Sequence, residues 1–141
     1  KRSRAIPTIS RRSTSFASLD GEETDAAALK CSVWDVTFQR GDGVFEVCRI
    51  VKHSNHIPKP RCLSLHLDRL ERSAAAIDLP LPPRHELEQW IRHASQMGGD
   101  GIVRCMVTRG GGSLGYGHHL QDLHAPSSTF IMWQPLPPQP E

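Results

Sequence analysis

Two arginines stand where their neighbours could put them to chemical use. Arg69 lies in His66-Leu67-Asp68-Arg69-Leu70-Glu71-Arg72-Ser73-Ala74, and Arg104 lies inside the apolar run 102–109. A guanidinium keeps its charge and presents a planar fork of donors, so it suits carboxylate and phosphate oxygens. In a helix turning by about 100° per residue, the apolar stripe Leu67, Leu70, Ala74 and Ile77 leaves Arg69 to one side, with Ser73 on that same side. Periodicity alone makes Arg69 a solvated surface residue. In a strand, Val103, Cys105 and Val107 form one apolar face, and Ile102, Arg104, Met106 and Thr108 form the other. A charge in mid-strand needs a wet or paired site, so Arg104 either lines a pocket or is a paired structural arginine. Arg109 falls on the opposite parity.

Other chemistry is less well supported. Gly41-Asp42-Gly43 and the glycine-rich stretch 110–124 lack the helix start and following lysine of a phosphate loop. The first reads as a turn, the second as a loop that either gates a site or is merely mobile. Cys31, Cys48, Cys62 and Cys105 form no C-x-x-C pair, so buried reduced thiols are expected. His53 and His56, and His118, His119 and His124, lack the Cys or carboxylate partners that would close a metal site, and read as polar loop histidines.

The elements that must position these residues follow from pattern. Residues 16–19 suit a short strand, Asp20-Gly21 a hairpin turn, and residues 29–34 a second strand. Residues 44–52 are the best strand, with Val44, Glu46, Cys48 and Ile50 on one face and Phe45, Val47, Arg49 and Val51 on the other. A polar loop, 53–59, leads by Pro60 through residues 62–65 into a helix that Leu79-Pro80-Leu81-Pro82-Pro83 ends. A second helix spans 84–97 and buries Leu87, Trp90, Ile91 and Ala94 before Gly98-Gly99-Asp100-Gly101 stops it. Strands at 102–109 and 127–134 complete an α+β pattern: one mostly antiparallel sheet with two helices packed on one face. Three segments result: a basic tail at 1–15, a domain at 16–134, and a proline-rich linker at 135–141.

Bulk properties exclude several classes. A formal net charge of +2 is too small to argue for nucleic acid or an acidic membrane surface. No apolar run approaches the ~18 residues of a membrane span. The acid-free, Arg/Ser-rich start reads as a disordered terminus or as the remains of a plastid or mitochondrial transit peptide, with a cytoplasmic location as the other expectation.

The ordered pair Gly41-Asp42-Gly43-Val44-Phe45-Glu46 and His66-x-x-Arg69-Leu70 resembles the N-terminal domain of the class IV (fold type IV) pyridoxal-phosphate enzymes. That family includes branched-chain and D-amino-acid aminotransferases and aminodeoxychorismate lyases. The resemblance implies that Arg69 contacts the phosphate of pyridoxal 5′-phosphate. It places Phe45 and Arg104 in the substrate pocket, with Arg40 at a pocket position where branched-chain enzymes usually carry tyrosine. Ile102 also stands where tyrosine is frequent, which departs from a standard branched-chain pocket. Phe45 can equally be read as an ordinary core residue.

The family's cofactor-binding lysine belongs to a second domain beyond the linker. Lys1, Lys30, Lys52 and Lys59 all precede the phosphate-arginine motif, so none matches it. The chain is therefore expected to supply half of a site. Its partner would be a second domain or another chain, within a homo-oligomer or larger assembly. The alternatives are half of an aminodeoxychorismate lyase, or a truncated, non-catalytic structural subunit.

Overall fold

The computed structural model describes residues 15–52, 56–111 and 127–136. Residues 1–14 of the expected tail, the linker from residue 137, residues 53–55 and most of the glycine-rich stretch lie outside them. So do His53, His118, His119 and His124. Among the described residues nine elements follow one another: β1 (Phe16–Leu19), β2 (Glu22–Thr24), α1 (Val36–Arg40), β3 (Gly43–Val51), β4 (Lys59–Pro60), α2 (Leu63–Ala76), α3 (Arg84–Gly98), β5 (Gly101–Thr108) and β6 (Thr129–Gln134). The strands make one sheet in the order β2-β1-β6-β5-β3-β4, every pair antiparallel.

Alternation builds the two-layer core. Register aligns Val44 with Val107, Cys48 with Val103, Val103 with Trp133 and Cys105 with Ile131. These residues are all buried, as are Leu63, Leu67, Leu70 and Ala74 of α2 and Leu87, Ile91 and Ala94 of α3. Period two on the strands and period 3.6 on the helices thus meet in a single cluster. The β1–β2 turn has Asp20 at φ 49° and Gly21 at φ 86°, the left-handed pair that two-residue hairpins require. A Cβ on Gly21 would come within 2.5 Å of Trp90 Nε1, so the hairpin also docks on α3.

Several expectations need correction. Residues 29–34 form no strand: Ser32 Oγ accepts from Trp34 N at 3.1 Å, and Asp35 N donates to Ser32 O at 3.0 Å. Local side-chain bonds offer this backbone a turn instead of a ladder. Asp35 then caps α1 by accepting from Thr37 N at 2.8 Å, which leaves Val33 and Trp34 exposed. Helix α2 already begins at Leu63, after Cys62 at φ 52°. It ends at Ala76, so Ile77 falls outside the helix and is 37% exposed, and Leu63 takes the fourth place in the buried stripe. Trp90 is partly buried, and Ser95 is buried instead, donating to Ile91 O at 2.7 Å. Of the four thiols, only Cys48 and Cys105 are buried.

Leu70→Ala should lower unfolding free energy by about 2–5 kcal/mol through cavity formation. Ile77→Ala should cost about 0.5 kcal/mol. Urea denaturation followed by circular dichroism measures both, and equal losses would contradict a helix α2 that ends at Ala76.

Candidate functional site

The sheet separates the chemically interesting residues. Successive residues of β3 point to opposite faces, so Phe45 and Glu46 stand back to back. Glu46 lies on the helix side among Val44, Cys48 and Ile50 and is only 6% exposed. A buried carboxylate needs donors, and α2 supplies them. Arg69 makes a bidentate contact, Nε to Oε1 at 2.5 Å and Nη2 to Oε2 at 2.6 Å. His66 Nδ1 reaches Oε2 at 2.8 Å. A spacing of three puts His66 and Arg69 on one side of the helix. Arg69 Nη2 and His66 Nδ1 are 3.4 Å apart, the separation of two donors converging on one oxygen.

This cluster is buried at the carboxylate and open at the arginine. The Arg69 side chain is 59% exposed while Glu46 is almost enclosed. Hydrogen bonds from Arg69 hold the Glu46 carboxyl below the usual glutamate range; burial opposes this, and His66 assists. The same contact raises the Arg69 guanidinium further. Nε and Nη2 are occupied, and among the described residues Nη1 has no hydrogen-bond partner. The result is a charged group of fixed orientation whose outer rim faces solvent, suited to an anion.

On the opposite face, Arg104 Cζ lies 5.5 Å from the centre of the Phe45 ring. Register pairs Phe45 with Met106 and Val47 with Arg104, so this is a diagonal contact. Phe45 is 58% exposed, and neither α2 nor α3 covers it. It is therefore not a core residue in this structure. Arg40 closes α1 and meets Asp42 Oδ2 at 3.3 Å. Among the described residues no hydrogen bond or ion pair joins Arg40 to Arg104, or either of them to Arg69. On the outer edge of β3, β4 pairs with Ile50 and Val51, and Arg61 N donates to Arg49 O at 2.8 Å; among the described residues no strand pairs with that edge from Gly43 to Cys48.

Asp42 anchors the turn before β3. Arg109, 5% exposed, places Nε 2.8 Å from Asp42 Oδ1, close enough for an ion pair but off the N–H direction of a hydrogen bond. Arg109 also donates to the carbonyls of Ile77 and Asp78, beyond the end of α2. It is thus a structural clamp on the helix side. The thiols of Cys48 and Cys105 are pushed up to about 12, chiefly by burial and then by neighbouring anionic groups, so neither is a thiolate at neutral pH. Among the described residues no three His, Cys, Asp or Glu side chains cluster as metal ligands.

Glu46 and His66 belong to the motif pair, but the sequence assigned neither of them a role in the site. The available signal was a carboxylate on an otherwise apolar strand face. Because the folded carboxyl is depressed, its stabilisation is complete above the unfolded value of about 4.3 and is lost as pH falls through the folded value. Wild-type unfolding free energy should therefore drop on acidification below about pH 5, and Glu46→Gln should lack that component. Urea titrations from about pH 3 to 7 measure the difference, and parallel curves would show that the ion pair does not form in solution.

The amino-transferase class IV family model matches residues 43–141. A 4-amino-4-deoxychorismate lyase from Pseudomonas aeruginosa is 30% identical, with a TM-score of 0.69 over 88% of this chain and 41% of that one. A hypothetical aminotransferase from Mycobacterium tuberculosis in its PLP-bound form is 25% identical, with a TM-score of 0.68 over 87% of this chain and 40% of that one. A branched-chain aminotransferase from Thermoproteus uzoniensis, at 24% identity, shares the fold with a TM-score of 0.72 over 86% of this chain and 41% of that one. The chain thus spans about two fifths of the length of these proteins. No curated protein matches it.

Proposed function

The chain belongs to the class IV amino-transferase family, and from that premise we propose that it is the small N-terminal domain of a pyridoxal 5′-phosphate enzyme moving an amino group between an amino acid and a 2-oxo acid. The observation that carries this reading is the exposed guanidinium of Arg69, held bidentately by the buried Glu46 of β3. Bound pyridoxal phosphate would supply the reactive carbonyl and the electron sink. Arg69 would hold its phosphate with the donors that Glu46 leaves free. His66 and Glu46 orient that guanidinium and spare it the entropy of finding its pose.

On the other face, Phe45 offers an aromatic wall to an apolar substrate side chain, and Arg104 offers a charge to a carboxylate. Arg40, at the turn, is a third cation at the rim. We assign the cofactor-binding lysine and the cover over Phe45 and Arg104 to a second domain or partner chain, in a homo-oligomer. Lys30, Lys52 and Lys59 are exposed, and none bonds to the Arg69 cluster. A second reading, half of an aminodeoxychorismate lyase, draws on the 30% identity to the Pseudomonas enzyme.

The complete protein should form glutamate from 2-oxoglutarate and a branched-chain or D-amino acid; pyruvate release from aminodeoxychorismate would select the lyase instead. In that protein Arg69→Ala should weaken cofactor retention roughly ten- to a hundredfold, the scale of losing hydrogen bonds to a charged group. Equilibrium dialysis with absorbance detection measures it, and unchanged affinity would remove Arg69 from the site.

A further inference from the structure

The Arg69 cluster has a third member whose charge is variable. Glu46 and Arg69 cancel each other, so with a neutral His66 the trio carries no net charge toward an incoming anion. Imidazole is the ordinary side chain that changes charge near neutral pH. His66 is 21% exposed at the side chain, so protons from solvent reach it, and its Nδ1 shares Glu46 Oε2 with Arg69 Nη2. A protonated ring keeps its Nδ1 on Glu46 and leaves the trio with one net positive charge. That added charge, beside the guanidinium, makes the site more attractive to phosphate.

We propose that His66 is a positioning residue that makes the anion grip of Arg69 proton-linked, tight when the ring is charged and weaker when it is neutral. The inference rests on the reading of Arg69 as a phosphate site. The surroundings leave few competitors for the titration. From β3 and β5 the cluster faces Glu46, Cys48 and Cys105, and both thiols stay neutral. From α2, Asp68 is engaged by Arg84 of α3 at 2.8 Å, and Glu71 by the same arginine at 2.7 Å. Glu46, paired with Arg69, stays ionised through the range in which imidazole titrates.

Inorganic sulfate is the suitable probe, because it remains a dianion where phosphate would itself titrate. Sulfate is titrated into the full 141-residue chain at about pH 5.5 and about pH 8, spanning the imidazole range, with NMR of the Arg69 Nε–H group as readout. Wild type should bind roughly three- to tenfold tighter at the lower pH, the scale of one added charge a few ångströms away in a partly wet site. His66→Gln should keep binding but lose that ratio. By reciprocity, sulfate binding between these two pH values should be accompanied by proton uptake in wild type and not in His66→Gln, which a merely structural histidine would not show. If Arg69→Ala binds sulfate as wild type does, or wild type binds none, the phosphate-site reading falls and this inference with it. If Arg69→Ala abolishes binding but His66→Gln retains the pH ratio, only the proton link is overturned.

Discussion

One carboxylate constrains this fold more than any other polar group. Glu46 projects from β3 into a layer built from Val, Cys, Ile and Leu, and is nearly enclosed there. An ionised group in such a place costs several kcal/mol unless it is paired and hydrogen-bonded. The donors must therefore be delivered by whatever packs above it, and α2 delivers both from one helical side. Satisfying Glu46 determines where Arg69 stands. Its inner edge is bound to the core and its outer rim is presented to solvent.

That bond does not act alone. Apolar packing is non-directional and permits a helix to slide or roll. Directional contacts at three places along α2 remove that freedom. Arg84 bridges Asp68 and Glu71 of α2 and so ties the helix to α3. The Glu46 cluster ties it to β3. Arg109 binds the carbonyls just past its end and pairs with Asp42 at the start of β3. Thr37 Oγ1 completes this end by donating to Asp42 O at 2.7 Å and accepting from Arg109 N at 3.0 Å. The guanidinium of Arg69 is thus set on a scaffold braced on each side of it, which is what a fixed anion site requires.

Much of the scaffold was legible residue by residue. Strict alternation marked β3 and β5, Asp20-Gly21 marked the hairpin, and three-four spacing marked α2 and α3. Each is a local period imposed by backbone geometry. The errors arose where local chemistry competed with period. Residues 29–34 look apolar enough for a strand, but Ser32 and Asp35 divert the backbone into a turn and a helix cap. Ile77 continues the stripe on paper but lies one residue past the last helical turn. Arg109 was legible by parity as a residue of the other face, though its clamp was not, because its partners lie more than thirty residues away.

The amino-acid sequence by itself determined the type and order of β1, β3, α2, α3, β5 and β6, which faces of β3 and β5 are apolar, and the motif pair that places the chain in its family. These depend on neighbours a few residues apart, so pattern suffices. Only the tertiary structure decided that Phe45 and Arg104 share a face away from Arg69, and that Arg40 is tied to the turn beside it. Only the tertiary structure joined Glu46 to His66 and Arg69 across 20 and 23 residues of chain. Pairing across such distances is governed by the burial of a charge, which no local period records.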